Sequence, residues 1–226
     1  MENIFLRLQD IEKTFKQADK KQHVLCGINA TFEQGKSYSI TGVSGSGKST
    51  LLHILGGIDF PSSGKVIFNG KDLNNFSKTN KERFLKENIG FVFQFHYLIR
   101  ELSVLENVML PGLICGQKYS TASQKALSLL KSVGLENKAK QYSFELSGGE
   151  QQRVSIIRAI FNKPKFLLAD EPTGDLDEEN ALQIVNLLIK CQKEWGLGLI
   201  ICSHDKYVYS KMQKVFRLHE GKLQEI

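Results

Sequence analysis

The chain has 226 residues, of which 41% are hydrophobic and 24% are charged, both ordinary values for a globular protein. This composition excludes a disordered or fibrous chain, and the length suits one α/β domain with a small inserted subdomain. The net charge of +6 is spread over small groups, so we expect no nucleic-acid partner. The best apolar stretch, at 197–202, is too short to span a membrane, so any span must come from a partner.

Strands and helices are predicted to alternate along most of the chain. The first forty or so residues have the pattern of antiparallel strands. Four short apolar runs, at 37–41, 89–93, 166–169 and 199–202, predict buried strands of a parallel sheet. The segment from 177 to 195 predicts an amphipathic helix with an acidic first turn and a glycine just after its end.

The whole chain, residues 1–226, is predicted to be one domain with an internal division. Helical patterns prevail from about 80 to 144. We predict a core formed by about 1–93 and 164–226, including the antiparallel part, and an inserted helical subdomain at about 94–163. The expected fold class is therefore α/β, with a mostly parallel central sheet.

A complete phosphate-binding motif, GxxxxGK[ST], runs from Gly42 to Ser49. It follows a predicted strand and opens a predicted helix, which is the context that distinguishes the motif from a chance glycine-rich turn. Glycines let backbone N–H groups point at phosphate oxygens, Lys48 would neutralise the β- and γ-phosphates, and Ser49 would hold Mg²⁺. The residues expected to bind ATP here are Gly42, Val43, Ser44, Gly45, Ser46, Gly47, Lys48, Ser49 and Thr50.

A second acidic motif follows the apolar run at 166–169. Asp170, at the end of a predicted strand, is expected to reach Mg²⁺ directly or through water. The adjacent Glu171 is expected to act as the general base toward an attacking water. Beside a phosphate loop, this interpretation is preferred over an ordinary strand that runs into an acidic turn.

The octapeptide LSGGEQQR at 146–153 resembles the signature of ATP-binding-cassette (ABC) transporter ATPases, and the resemblance extends over essentially the whole chain. The resemblance implies an ABC ATPase fold of the P-loop type and an ATP-dependent homodimer. In that dimer Ser147, Gly148 and Gly149 would bind the nucleotide held by the opposite subunit. It also implies integral-membrane partner subunits and a peripheral position on the cytoplasmic face of the inner membrane.

Three further positions take their expected roles from the same resemblance. Gln94 resembles the glutamine that links Mg²⁺ and water to the membrane partner, and His204 resembles the switch histidine that contacts the γ-phosphate. Phe15 occupies the place of an aromatic residue that stacks on adenine, although a core phenylalanine is the alternative. Asp175 departs mildly from the asparagine that is frequent in related subunits, which leaves its part in communication across the dimer open.

A geometric argument places these groups together independently of the resemblance. Ligands of open α/β sheets bind beyond the carboxyl ends of the strands. The four predicted strands end at the phosphate loop, at Gln94, at Asp170 and Glu171, and at His204. We therefore expect one ATP and Mg²⁺ site at this edge of the sheet.

The sequence disfavours two other classes of ATPase. A small-molecule kinase would leave 146–153 and Gln94 without a purpose, and a chromosome-maintenance ATPase would need additions for which the chain has no room. The segments around 51–59, 94–98 and 105–111 resemble the lipoprotein-releasing and macrolide-export group. Lipoprotein release is the preferred function. The alternatives are macrolide or peptide export and the regulation of cell-wall enzymes through a membrane partner.

Overall fold

The computed structural model describes residues 4–17 and 20–226. Its strands are β1 (Phe5–Gln17), β2 (Lys20–Glu33), β3 (Ser37–Thr41), β4 (Ser63–Phe68), β5 (Lys71–Asp72), β6 (Ile89–Val92), β7 (Phe166–Asp170), β8 (Gly198–Cys202), β9 (Lys214–His219) and β10 (Lys222–Glu225). Its helices are α1 (Lys48–Leu55), α2 (Lys78–Asn88), α3 (Val104–Ile114), α4 (Tyr119–Ser132), α5 (Gly148–Ile160), α6 (Glu178–Trp195) and α7 (Lys206–Ser210).

The first two strands belong to a small antiparallel sheet with the order β2-β1-β4-β5. Alternate residues of β1, such as Leu6 and Leu8, are buried, because one face of this sheet packs on the core. The predicted antiparallel strands at the beginning of the chain are confirmed.

The main sheet has six strands in the order β10-β9-β3-β8-β7-β6. From β9 to β6 all neighbouring strands are parallel, and only β10 pairs in the antiparallel sense. The predicted strand at 37–41 matches β3, and the other three predicted strands differ from β6, β7 and β8 by a residue at one end. The predicted mostly parallel central sheet is confirmed.

Helices and the small sheet cover both faces of the main sheet, so all five residues of β7 and of β8 are buried. In β7, Phe166 and Leu168 pack with α1 and the antiparallel sheet. Leu167 and Ala169 point to the opposite face and pack with residues of α3, α4, α5 and α6. Burial on both faces explains why these strands appear in the sequence as continuous apolar runs.

Side-chain caps begin α5 and α6. In α6, the side chain of Asp177 accepts a hydrogen bond from the N–H of Asn180, and the helix ends at Gly196, whose φ of 61° is left-handed. The predicted helix from 177 to 195 is thus confirmed. Helices α3, α4 and α5 lie between β6 and β7, where the helical subdomain was expected. The division at 94 and 163 stays a prediction.

Candidate functional site

The loop between β3 and α1 has a backbone that only glycine tolerates at its key positions. Gly45 and Gly47 have φ values of 76° and 102°. A Cβ on Gly42 would lie 2.5 Å from the carbonyl oxygen of Leu218, and one on Gly47 would lie 2.7 Å from Cγ1 of Val24. No side chain caps the beginning of α1, so its first N–H groups are available to an anion.

Lys48 lies almost buried at the base of this loop, with 7% of its surface exposed. Its Nζ donates to the carbonyl oxygens of Gly42, at 3.0 Å, and Val43, at 3.3 Å. The same Nζ lies 3.4 Å from Oε1 of Glu171. A buried ammonium group surrounded by oxygens is well suited to receive a phosphate, because the cost of its burial is already offset by these contacts.

The carboxylate of Asp170, the last residue of β7, fits a divalent cation. Burial raises the pKa of this carboxyl, and a hydrogen bond with Ser49 opposes that shift. Its Oδ1 is buried and has no hydrogen-bond partner among the described residues. Mg²⁺ prefers oxygen ligands, so the unpaired oxygen of Asp170 and the hydroxyl of Ser49 are suitable groups to hold it.

Glu171 has a strained backbone at the point where β7 ends. Its φ is 43°, and its N–H donates to the carbonyl oxygen of Cys202 on the neighbouring strand at 2.9 Å. Its Oε2 lies 3.1 Å from Nδ1 of His204, an exposed residue that follows β8. Strain of this kind persists where the surrounding structure holds a residue in a required position. The Glu171 carboxylate therefore has a fixed place between Lys48 and His204.

Gln94 completes the ring of polar groups from the side of β6. Its Nε2 donates to Oδ2 of Asp175 at 3.5 Å. A cavity of about 420 Å³ is lined by Val43, Ser44, Lys48, Gln94, Glu171, Gly174 and His204. The convergence of four strand ends that the sequence predicted is confirmed, while the role of each residue stays a prediction.

Phe15 lies beside this site and outside the core. Its ring is 42% exposed, and Nζ of Lys13 lies 5.1 Å from the ring centroid. Its partner on β2 is Gln22, which lines a second cavity of about 390 Å³ together with Ser44, Gly45 and Ser46 of the phosphate loop. An exposed ring at this position is available for stacking, and the stacking of Phe15 on adenine stays a prediction.

The signature residues stand apart from the cavity, at the beginning of α5. Ser147 and Gly148 are exposed and Gly149 is buried. The Ser147 Oγ accepts a hydrogen bond from the N–H of Glu150, and the Glu150 carboxylate accepts one from the N–H of Ser147, which forms a capping box. Ser147 and Gly148 thus lie at the surface of the chain. Thr50, on α1, is half-buried.

The structure also shows a functional contact that the sequence analysis missed. The guanidinium of Arg158, on α5, donates to the carbonyl oxygens of His96 and Tyr97, both at 2.7 Å. Burial lowers the pKa of Arg158. These bonds hold the loop that follows Gln94, in which Tyr97 has a φ of 45°. Arg158 lies 61 residues from Tyr97 and 62 residues from His96 in the sequence, so no local sequence pattern predicts the contact.

Comparison with known proteins gives the same picture. The pattern of the ABC transporter family matches residues 25–174. A lipoprotein-releasing system ATP-binding protein LolD from Syntrophus aciditrophicus is 42% identical over 96% of this chain and 98% of its own length. One from Xanthomonas campestris pv. campestris is 39% identical over 98% of this chain and 92% of its own length.

Solved structures agree with the sequence relatives. The ATP-binding cassette MJ0796, in a dimeric post-hydrolysis state bound to ADP and Pi, has a TM-score of 0.91 and 35% sequence identity. The match covers 98% of this chain and 97% of that chain. A dimeric structure of MJ0796 described as a bacterial ABC transporter cassette matches equally well. The chain therefore belongs to the ABC transporter family, as one of its ATP-binding, ATP-hydrolysing subunits.

Proposed function

We propose that this ABC ATPase drives the release of lipoproteins from the inner membrane toward the outer membrane, through membrane subunits that it does not itself contain. The observation that carries the proposal is the likeness to LolD proteins at 39–42% identity over nearly the whole chain. None of the helices in residues 4–17 and 20–226 could cross a lipid bilayer. In this proposal the chain works as a peripheral subunit on the cytoplasmic face of the inner membrane.

The geometry of the cavity supports a separate role for each of several residues in ATP hydrolysis. The phosphate loop and Lys48 hold the triphosphate, and Glu171 takes a proton from the attacking water. His204 contacts the Glu171 carboxylate and lines the same cavity as Lys48, and in this proposal it contacts the γ-phosphate. Bound Mg²⁺, held by Ser49, Asp170 and Gln94, would neutralise charge that develops on the phosphates.

The second half of each site would come from another copy of the chain. Ser147, Gly148 and Gly149 form a helix N-terminus with exposed positions, which is a favourable place for a phosphate. The MJ0796 cassette is dimeric in two structures that superpose on this chain. We infer that ATP joins two copies by binding Lys48 of one and Ser147 of the other.

A surface next to Gln94 fits the membrane partner. Phe95 and Tyr97 follow Gln94 and are 65% and 64% exposed. Close to them, a mostly apolar groove of about 390 Å³ runs between α2, α3 and the end of α5. Exposed aromatic residues beside an apolar groove are typical of an interaction site. A partner seated here would contact the loop that carries Gln94, and so would sense the state of the nucleotide.

Replacing Glu171 with glutamine tests the catalytic part of the proposal. The amide keeps the shape of the side chain but accepts no proton, so we expect hydrolysis to fall by about 10²–10⁴-fold. ATP should still bind, and the variant should accumulate as an ATP-bound dimer in gel filtration. Turnover close to that of the unmodified chain would remove Glu171 from the mechanism.

The same variant, expressed in place of the natural chain, tests the cargo. We expect lipoproteins to remain in the inner membrane, as measured by fractionation and immunoblotting. Normal lipoprotein sorting with increased macrolide sensitivity would assign the chain to the export alternative. Normal sorting with altered cell-wall hydrolase activity would assign it to the regulatory alternative.

A further inference from the structure

A lysine from outside the signature contacts the carboxylate that caps the signature helix. Lys138 ends a short 3-10 turn, Glu136–Lys138, which follows α4. Its Nζ forms an ion pair with Oε1 of Glu150, and the two side chains are 35% and 17% exposed. The other carboxylate oxygen of Glu150 accepts the N–H of Ser147 at 2.9 Å. The carboxylate of Glu150 is thus shared between the cap of α5 and Lys138.

The ion pair between Lys138 and Glu150 affects the net charge at the N-terminus of α5, where a phosphate binds in the proposed function. A helix N-terminus favours anions through its free N–H groups and its dipole. An ionised carboxylate in the first turn opposes a second anion at the same end. The contact with Lys138 is the main cause that lowers the pKa of Glu150, because the ammonium group stabilises the ionised carboxylate. Without Lys138, the helix end would present an uncompensated negative charge beside Ser147.

A second carboxylate lies near the same helix end. Gly149 packs against Asn180, which donates through its side chain to Asp177 at 2.7 Å. Hydrogen bonds from Asn180 lower the pKa of Asp177, because they stabilise its ionised carboxylate. Two carboxylates close to a phosphate-binding end increase the need for a compensating cation.

We propose that Lys138 is a positioning residue that neutralises the Glu150 carboxylate, so that the N-terminus of α5 can receive the γ-phosphate of ATP bound to a second copy. The inference rests on the proposed function, because it needs the composite site. Lys138 also ties the segment after α4 to the signature helix, so the cap keeps its geometry as well as its charge balance.

The experiment uses the full chain with Glu171→Gln, which traps the ATP-bound dimer. Adding Lys138→Met keeps most of the side-chain volume but removes the charge. We expect the ATP concentration for half-maximal dimerisation to rise about 2- to 30-fold, the range that one charge at a helix terminus produces. Light scattering measures the dimer, and binding of a fluorescent ATP analogue to the monomer should not change. Lys140→Met, an exposed lysine two residues further on, is the matched control.

A charge-rescue variant separates neutralisation from a merely structural role. Glutamine also forms capping boxes, so Glu150→Gln keeps the cap while it removes the carboxylate. In the Lys138→Met background, Glu150→Gln should restore dimerisation to within about 2-fold of the parent. A contact needed only for folding would not be rescued, and the Tm of each variant identifies that case. Glu150→Gln alone should dimerise at the same or lower ATP concentration.

The outcomes distinguish the inference from the proposed function. If the Glu171→Gln parent itself fails to dimerise with ATP, the composite site is wrong. If the parent dimerises and Lys138→Met dimerises equally well, the inference is overturned. Should Lys138→Met fold poorly, Glu150→Gln alone decides: weaker dimerisation at an unchanged Tm contradicts the neutralising role.

Discussion

The contacts of the Glu171 carboxylate bear on the order of ATP binding and hydrolysis. Its carboxylate lies 3.4 Å from Nζ of Lys48 and 3.1 Å from Nδ1 of His204. In the proposed mechanism, a triphosphate would compete with Glu171 for Lys48, because it carries more negative charge than one carboxylate. We infer that the binding of ATP frees the general base at the moment when it is needed, while the strained backbone of Glu171 keeps it at the site.

Phe15 offers a prediction at the same scale. Because its ring is exposed, Phe15→Ala should cost little stability but should remove a stacking partner worth about 1–3 kcal/mol. We expect the ATP dissociation constant to rise about five- to a hundredfold, measured by calorimetry. Phe15→Tyr should bind ATP almost normally. Phe60→Ala, at an equally exposed phenylalanine, is the control. Unchanged ATP affinity in Phe15→Ala would show that the ring does not stack on adenine.

At the scale of elements, the signature helix depends on a close approach to α6. A Cβ on Gly149 would lie 2.5 Å from Oδ1 of Asn180, whereas one on Gly148 would meet its nearest atom, Cδ2 of Leu176, at 3.6 Å. Asn180 is not free to move aside, because both its N–H and its side chain bond to Asp177. The close packing of α5 on α6 therefore requires a glycine at position 149, whereas position 148 has room for a Cβ.

This difference gives a paired prediction. Gly149→Ala must separate α5 from α6 or break the cap of α6, which we expect to cost about 1–3 kcal/mol of folding free energy. A chain of this length should then lose about 2–10 °C in Tm. Gly148→Ala makes only an ordinary contact, so its Tm should stay the same or rise slightly, since alanine favours the helix. Differential scanning calorimetry of both variants checks the prediction, and equal Tm values would contradict it.

The sequence predicts an element when the residues that determine it lie close together in the chain. The strands β7 and β8 were predicted because strands that are buried on both faces appear in the sequence as short apolar runs. The phosphate loop was predicted because its glycines and Lys48 lie within eight consecutive positions. The bonds of Arg158 to the loop after Gln94, and the approach of Gly149 to Asn180, depend on how distant segments pack. They leave no periodic pattern, so the sequence did not predict them.

At the scale of the whole molecule, α5 connects two sites. Its first residues present Ser147 to solvent, and its last turn carries Arg158, which holds the loop behind Gln94. A helix of 13 residues is stiff, so a displacement at one end moves the other. In the proposed dimer, a displacement of Ser147 would therefore be passed through Arg158 to the loop after Gln94.

The composite site itself can be tested by mixing two inactive chains. The proposed two-fold dimer would contain two identical sites, and each would take Lys48 from one copy and Ser147 from the other. In a mixed dimer of Lys48→Ala and Ser147→Arg chains, one site carries both lesions and the other carries neither. We expect the mixture to hydrolyse ATP faster than either variant alone, because the intact site regains its full set of contacts.

If the two sites hydrolyse ATP only together, the turnover of the mixed dimer does not show whether a site is shared between copies. The amount of trapped nucleotide does show it. If hydrolysis needs two intact sites, the mixed dimer stays inactive but still retains nucleotide. Crosslinking the mixed pair and measuring retained ATP should then give about one nucleotide per dimer, as expected when one of two sites is complete. The same crosslinked sample made from either variant alone is the control, and it should retain little ATP because every site carries a lesion. A mixture that retains no more ATP than these controls, with no gain in turnover, would mean that Ser147 does not complete the site of another copy.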